Sequence, residues 1–481
     1  MGVLKITKNS LDMNEMKSGA ACSDPQPPIL GGSVDLIIIG SGPGGYRAAE
    51  YAAKNGLQVV IIESAFAGGT CLNCGCIPTK AFCHDAELAE IRQSFDFSKV
   101  VERKQQIVEQ LRSGVESLMQ QPGITFVHGH GHFLDANTVE VVSTVFPEDG
   151  EPETVVQQFK ADNIIIATGS RTKILPIPGI TGSKCVTSTE LLDIQEVPKR
   201  LCIIGAGVIG MEFASVFASF GSEVTVVEYL KECLPALDSD IAKRLRKQLE
   251  KRGVKFYLGV GVKQVDGGTV TFERKGKEES VEADTILVAT GRTPNVENLN
   301  LDRAGIEFDR AGIKVNPDTF EVSTPNTQHS TPRIFAIGDV NGRQLLAHAA
   351  TMQGIRVVNT ILGRKDAIRL DIMPAAVFTN PEAASVGPTE DQLKDEGREF
   401  TCHKGYYRAN GKALAIEATD GIAKLFTDAD DRIIGCHILG AHAADLVQEI
   451  AALMNRDTTL SQLRDIVHIH PTLSEILQDI G

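Results

Sequence analysis

The stretch Val34-Asp-Leu-Ile-Ile-Ile-Gly40-Ser-Gly42-Pro-Gly-Gly45 begins as an apolar run and ends on spaced glycines. Apolar residues in a row, without alternation, read as a strand covered on both faces, the kind found in parallel sheets. A helical segment then runs to Asn55, and a second strand from Gln58 to Glu63. The same plan recurs. Leu201-Cys-Ile-Ile-Gly205-Ala-Gly207-Val-Ile-Gly210 leads into a helix and then a strand from Glu223 to Glu228. Gly40, Gly42, Gly45 and Glu63 map onto Gly205, Gly207, Gly210 and Glu228 with one constant offset of 165 residues. A lone Gly-x-Gly-x-x-Gly is a weak signal. Two copies, each behind an apolar strand and each with an acid 18 residues past the last glycine, are a strong one.

The pattern predicts an α/β chain with two Rossmann-like dinucleotide-binding units. In each, the first glycine makes the tight turn, the second lets backbone approach a pyrophosphate, and the third packs helix on strand. The helix N-terminus then offers unpaired N–H groups to the phosphates. Glu63 and Glu228 can each accept hydrogen bonds from a ribose diol. A 2′-phosphate would be repelled, so Glu228 favours NAD over NADP. Ile164-Ile-Ile-Ala-Thr-Gly169 and Ile286-Leu-Val-Ala-Thr-Gly291 end alike and mark where the chain leaves one unit and returns to it, with Gly169 and Gly291 among the candidate cofactor-binding residues. From about residue 363 short alternating strands (376–386, 422–426, 433–439) and a helix over 445–454 predict a different, α+β module. The expected organisation is a flexible tail over 1–33, a first nucleotide unit over 34–160 and a second over 161–291. Residues 292–362 return to the first unit, and 363–481 form the last module.

At 481 residues the chain exceeds a single core. Its 42% hydrophobic and 23% charged residues are those of an ordinary globular protein. A net charge of −14 argues against a nucleic-acid binder and suits a basic protein partner. No segment reaches the ~18 apolar residues that would suggest a membrane span. The first residues lack a signal peptide's apolar core and, carrying acids and no Arg, resemble no mitochondrial presequence, so a cytoplasmic location is expected. Position 6 is Ile, which excludes the myristoylation pattern. The ten cysteines are spread along the chain rather than packed as a disulfide scaffold. Cys22, Cys185, Cys202, Cys233, Cys402 and Cys436 read as small hydrophobes or bystanders.

Three cysteines stand together in Gly69-Thr-Cys-Leu-Asn-Cys-Gly-Cys-Ile-Pro-Thr-Lys80. Cys71–Cys74, Cys74–Cys76 and Cys71–Cys76 are all conceivable pairs. A regular helix would set residues five apart ~7.5 Å along its axis, whereas a disulfide needs Cα atoms within ~4.4–6.8 Å. A 71–76 bridge therefore demands a distorted turn, which Gly75 permits, and spacing by itself leans towards 71–74. Cys71, Cys74, Cys76 and His84 could instead hold zinc, although structural zinc sites usually join ligand pairs well separated in sequence; no metal is expected. Near the C-terminus, His468-Ile-His470-Pro471-Thr-Leu-Ser-Glu475 offers a base with a carboxylate to orient it.

Gly-Gly-Thr-Cys-x-x-x-Gly-Cys-Ile-Pro-Thr-Lys together with His-x-His-Pro-Thr-x-Ser-Glu resembles the dihydrolipoamide dehydrogenases, a family of flavin-linked disulfide reductases. The resemblance extends over residues 34–481. It implies a C-terminal dimerisation domain, FAD in the first unit and NAD in the second, with Gly338-Asp339 helping to hold the flavin. It pairs Cys71 with Cys76, overruling spacing, and makes Cys76 the thiolate facing the flavin and Cys71 the thiol that exchanges with substrate. It makes His470 the base and Glu475 its partner, leaves His468 secondary, and sets Lys80 and Glu212 as a pair beside the flavin. The implied reaction oxidises a protein-bound dihydrolipoyl group with NAD. The implied protein is a homodimer served by a lipoylated carrier domain, the dihydrolipoyl acyltransferase core of a 2-oxo acid dehydrogenase complex, or a glycine-cleavage carrier. A flavin reductase acting on another disulfide is the alternative. Cys74 departs from the commoner residue at its position, and Thr79 replaces the commoner Ser.

Overall fold

The computed structural model describes residues 29–145, 151–323 and 332–481. Most of the expected tail, residues 1–28, lies outside them. Residues 29–33 do not: Ile29–Val34 is a strand paired in parallel with Glu153–Ala161, so the chain enters a sheet before residue 34.

The strand Leu36–Ile39 lies at the centre of a five-stranded parallel sheet, where Ile37 is flanked by Val60 on one side and Ile164 on the other. Its neighbours are Val59–Glu63 and Asn163–Ile166, with Ile124–His128 and Arg333–Ala336 at the edges. Alternate side chains feed two cores. Leu36 and Ile38 pack with Ala48, Ala52 and Val357 of the helices Pro43–Lys54 and Ala347–Ile361. Ile37 and Ile39 pack with Phe133, Val139 and Phe159 of a second, mainly antiparallel sheet. Coverage on both faces is why Leu36–Ile39 has no polar residue, and each such side chain contributes about 1.5–3 kcal/mol by burial. The two helices approach closely through glycine: a Cβ on Gly354 would stand 2.9 Å from the Gly44 carbonyl oxygen.

The second unit repeats this build. Its parallel sheet is ordered Cys185–Val186, Thr285–Val288, Arg200–Ile204, Glu223–Glu228 and Lys255–Leu258. Leu201 and Ile203 face the helices, while Cys202 and Ile204 face Val270 and Phe272 of a three-stranded meander over 262–282. The boundary expected at 160/161 falls in the wrong place. Asn163–Ile166, apolar and buried over Ile164–Ile166, completes the interior of the first sheet. The chain crosses later, through Ser170–Thr172, and returns through Arg292–Pro294, two short strands paired antiparallel.

The last module is a five-stranded antiparallel sheet with the helix Ala443–Met454 packed against it. The strand expected over 376–386 is two, Ala375–Val377 and Ala383–Val386, folded on each other. Pro381 lies between them; it has no N–H for a central strand. A buried ion pair ties this module to the second unit. Lys424 Nζ lies 2.7 and 2.8 Å from the Asp238 carboxylate oxygens and 2.6 Å from Glu390 Oε2. Burial alone would raise the Asp238 carboxyl, but the Lys424 ammonium outweighs it and holds it below the ordinary carboxylate range.

Candidate active site

Gly40 and Gly205 have φ of +104° and +107°, and a Cβ on either would stand 2.4 Å from a carbonyl oxygen, Ala167 or Ala289. A Cβ on Gly45 or Gly210 would fall 1.9 or 2.0 Å from the oxygen of Gly40 or Gly205. Only glycine fits at these four positions. At Gly42 and Gly207 a Cβ would meet nothing within 4 Å, so the open space lies just outside the N-termini of Pro43–Lys54 and Val208–Ser219. Neither helix has a side-chain cap, which leaves its first N–H groups for a phosphate.

The acids are held alike. Glu63 Oε2 accepts from Ser41 N at 2.8 Å and Oε1 from Ala65 N at 2.9 Å. Glu228 Oε2 accepts from Ala206 N at 2.6 Å and Oε1 from Leu230 N at 2.7 Å. These are equivalent positions under the 165-residue offset. Each carboxylate is thus fixed by backbone at a strand end and keeps lone pairs for a diol. The residues present fit two dinucleotides.

The cysteines lie on two helices broken at Gly75, Gly69–Cys74 and Cys76–Arg92. This break is the distorted turn the sequence demands. A Cβ on Gly75 would press 2.9 Å from the Thr70 carbonyl oxygen. Thr79 restores the turn by donating its hydroxyl to Gly75 O at 2.7 Å. Cys71 and Cys76 face each other across the break. The Cys71 thiol and then the Lys80 charge stabilise the Cys76 thiolate against burial and pull its pKa down to about 7. The same bond pushes Cys71 up. Cys74 points elsewhere, to the Thr189 hydroxyl in the second unit, and burial raises its thiol. The four zinc candidates are not gathered into a cluster; among the described residues no three metal-ligating side chains converge.

Lys80 Nζ lies 2.9 Å from both Glu212 oxygens, and Glu212 Oε1 also accepts from Phe378 N at 2.9 Å. Burial would lower the Lys80 ammonium, but Glu212 outweighs it and keeps it charged beside Cys76. His470 Nδ1 is 2.8 Å from Glu475 Oε1, whose other oxygen accepts from Thr472 N at 2.8 Å. The Thr472 amide and His470 together lower the Glu475 carboxyl. His470 is 80% exposed, whereas His468 is buried against Glu449 at 2.8 Å. Among the described residues no hydrogen bond joins His470 to either cysteine of its own chain.

Gly338 takes φ +70°, and its N–H donates to Gln353 Oε1 at 2.8 Å. Asp339 accepts from the Ser170 hydroxyl, which Arg292 Nε contacts at 2.6 Å. Ser170, Arg292 and Gln353 were not singled out from the sequence. The first two directly follow Gly169 and Gly291, so the matched strand ends were the signal that could have found them. Gly169 and Gly291, with φ of +70° and +109°, turn the chain into the crossover strands that carry Ser170 and Arg292.

Comparison with known proteins agrees with this geometry. Residues 34–354 match the model of the pyridine nucleotide-disulphide oxidoreductases, and 373–480 match the dimerisation domain of the same proteins. The chain is 39% identical over 466 residues to the mitochondrial dihydrolipoyl dehydrogenase of Pisum sativum, covering 92% of this chain and 90% of that one. It is 37% identical to the leghemoglobin reductase of Glycine max, covering 99% and 91%. Among solved structures it resembles the HOCl-induced flavoprotein disulfide reductase RclA of Escherichia coli, with a TM-score of 0.80 and 30% identity over 93% of this chain and 99% of that one. With its duplicated nucleotide fold, its dithiol and its C-terminal module, the chain belongs to the pyridine nucleotide-disulphide oxidoreductase family.

Proposed function

We propose that this enzyme is a dihydrolipoyl dehydrogenase, oxidising a dihydrolipoyl group on a carrier protein with NAD as the final acceptor. The observation that carries the reading is the placement of the dithiol: Cys71 and Cys76 face each other across the Gly75 break, and the Lys80 charge favours the Cys76 thiolate. In exchange chemistry the sulfur with the lower pKa leaves faster. A substrate thiolate therefore attacks Cys71 Sγ of the oxidised pair, and Cys76 departs as thiolate. The second substrate thiolate then attacks the substrate sulfur of the mixed disulfide, closing the lipoyl ring and releasing Cys71. Two electrons have passed from substrate to protein. His470, oriented by Glu475, takes a substrate thiol proton at Nε2.

FAD would be held by Gly40, Gly42, Gly45, Glu63 and the Gly338-Asp339 turn, beside Lys80 and Glu212, and NAD by Gly205, Gly207, Gly210 and Glu228. The two bound cofactors supply the electron acceptors that return the dithiol to the disulfide. Two features support a homodimer in which His470 serves the partner's dithiol. Among the described residues the His470 ring hydrogen-bonds to no cysteine of its own chain, and Val467 and Ile469 beside it are 92% and 77% exposed. Lipoylated carriers are the proposed partners, and the cytoplasm the proposed location, to be checked by fractionation.

Turnover of dihydrolipoamide with NAD and with NADP tests the reading. NAD should be strongly preferred, since discrimination at a polar site can reach ~10⁴-fold. Equal kcat/KM for the two would remove Glu228 from the site. Absence of turnover in a flavin-loaded protein would move the substrate to another disulfide.

A further inference from the structure

The helix Ser239–Lys251 of the second unit carries a feature that the redox chemistry does not use. Lys243, Lys247 and Lys251 stand four residues apart and so share one face. The helix's ion pairs engage Arg244 with Asp240 and Arg246 with Glu232 and Glu250. Among the described residues none of the three lysines has a carboxylate partner. In a chain of net charge −14, three unpaired cations in line are unexpected. Their face borders a cavity of about 440 Å³ at the seam with the dimerisation domain. Arg408 of the dimerisation domain also lines it, with its guanidinium 4.9 Å from the Tyr406 ring centroid. Tyr406, Ile422 and Leu439 give the cavity an apolar side; Asp240, already paired, and Asp420 are the acids on the lining. The helix is fixed at its other end, where Asp238 caps it and binds Lys424, and Ser239 N donates to Asp391 at 3.0 Å. The lysines therefore project from a helix held in place.

We propose that this cavity binds a phosphorylated organic anion of nucleotide size, with its phosphates on Lys243, Lys247 and Lys251 and its body against Tyr406. Three considerations carry this. The volume is that of small-molecule sites, ~300–1,000 Å³. Cations of both domains line it with too few acids to neutralise them, and ammonium groups bind phosphate as point charges. An acidic peptide would have no use for the apolar side formed by Tyr406, Ile422 and Leu439. The ligand would bridge the second nucleotide unit and the dimerisation domain, away from the glycine loops.

The test is equilibrium binding of ATP to the full-length, FAD-loaded protein, with NAD saturating so that the Glu228 site is blocked. Tripolyphosphate, adenosine and polyglutamate are run beside it. ATP should bind, more tightly than tripolyphosphate or adenosine, and weaken as salt rises. Lys243→Gln/Lys247→Gln should weaken ATP by at least about tenfold while leaving the melting temperature and dihydrolipoamide turnover unchanged. No ATP binding at millimolar concentration in low salt would overturn the proposal. So would equal affinity in the double variant, tripolyphosphate matching ATP, or a preference for polyglutamate.

Discussion

The Cys71–Cys76 pair is a matter of a few atoms: a glycine at 75, a threonine at 79, and the Lys80 ammonium nearby. Its pairing was not legible in spacing, which leaned towards 71–74, because spacing assumes a regular helix and the chain breaks at Gly75. The glycine loops and strand-end acids were legible to the residue, since backbone geometry at Gly40 and Gly205 admits nothing else. The lowered Cys76 predicts a pH profile. In the reduced protein its thiolate should appear as pH rises through about 7, the value set by Cys71 and Lys80 against burial. Alkylation of reduced, flavin-free protein by iodoacetamide should follow that midpoint, with label on the exposed Cys76 and little on Cys71 or Cys74 at neutral pH. Lys80→Gln should move the midpoint up. A midpoint at the ordinary thiol value would show that the pair is not coupled. Cys71→Ser and Cys76→Ser should each abolish dihydrolipoamide turnover, and Cys74→Ser should retain it. A dead Cys74→Ser would assign the working disulfide to 71–74.

Helices and strands were read well where periodicity is strong, and the errors have physical causes. Asn163–Ile166 was assigned to the wrong unit because an isolated apolar strand does not announce its sheet. The seam between the second unit and the last module was invisible, because Lys424 and Asp238 are 186 residues apart. Such a pair costs desolvation to form but is costly to break, because the remaining charge stays buried. Lys424→Ala should destabilise the protein by ~3–5 kcal/mol, read as a lower denaturant midpoint, with Lys424→Met less harmful. Acid should act on the same seam. Glu390, beside Lys394 and Lys424, has its carboxyl lowered from 4.5 to about 2, so its stabilisation is present above 4.5 and lost as pH falls towards 2. Asp238 is lowered in the same sense. In wild type, stability should fall through that window, and Lys424→Met should flatten the fall. An unchanged acid profile would show that the pair contributes nothing.

For the whole molecule, the single chain holds every part proposed for the reaction, yet among the described residues no hydrogen bond joins the His470–Glu475 pair to the dithiol. A homodimer would bring one chain's histidine to the other's cysteines. His470→Ala should keep its flavin and lose ~10²–10⁴-fold in turnover. Reduction of the flavin by NADH, which needs no thiol proton removed, should be nearly unaffected. Refolding His470→Ala chains with Cys71→Ser chains should restore activity, because one site of each hybrid dimer then has both groups intact. Verified hybrids without activity would place both groups on one chain. Electrons from a dihydrolipoyl dithiol should reach a bound flavin through Cys71 and Cys76. Anaerobic titration of the purified protein with dihydrolipoamide, followed by its absorption spectrum, tests this most directly. The protein should be yellow, its visible bands should change and a new long-wavelength band appear as two electrons per chain are taken up, and Cys71→Ser should show no such change. A colourless protein, or a flavin spectrum that dihydrolipoamide leaves untouched while NADH reduces it, would contradict it.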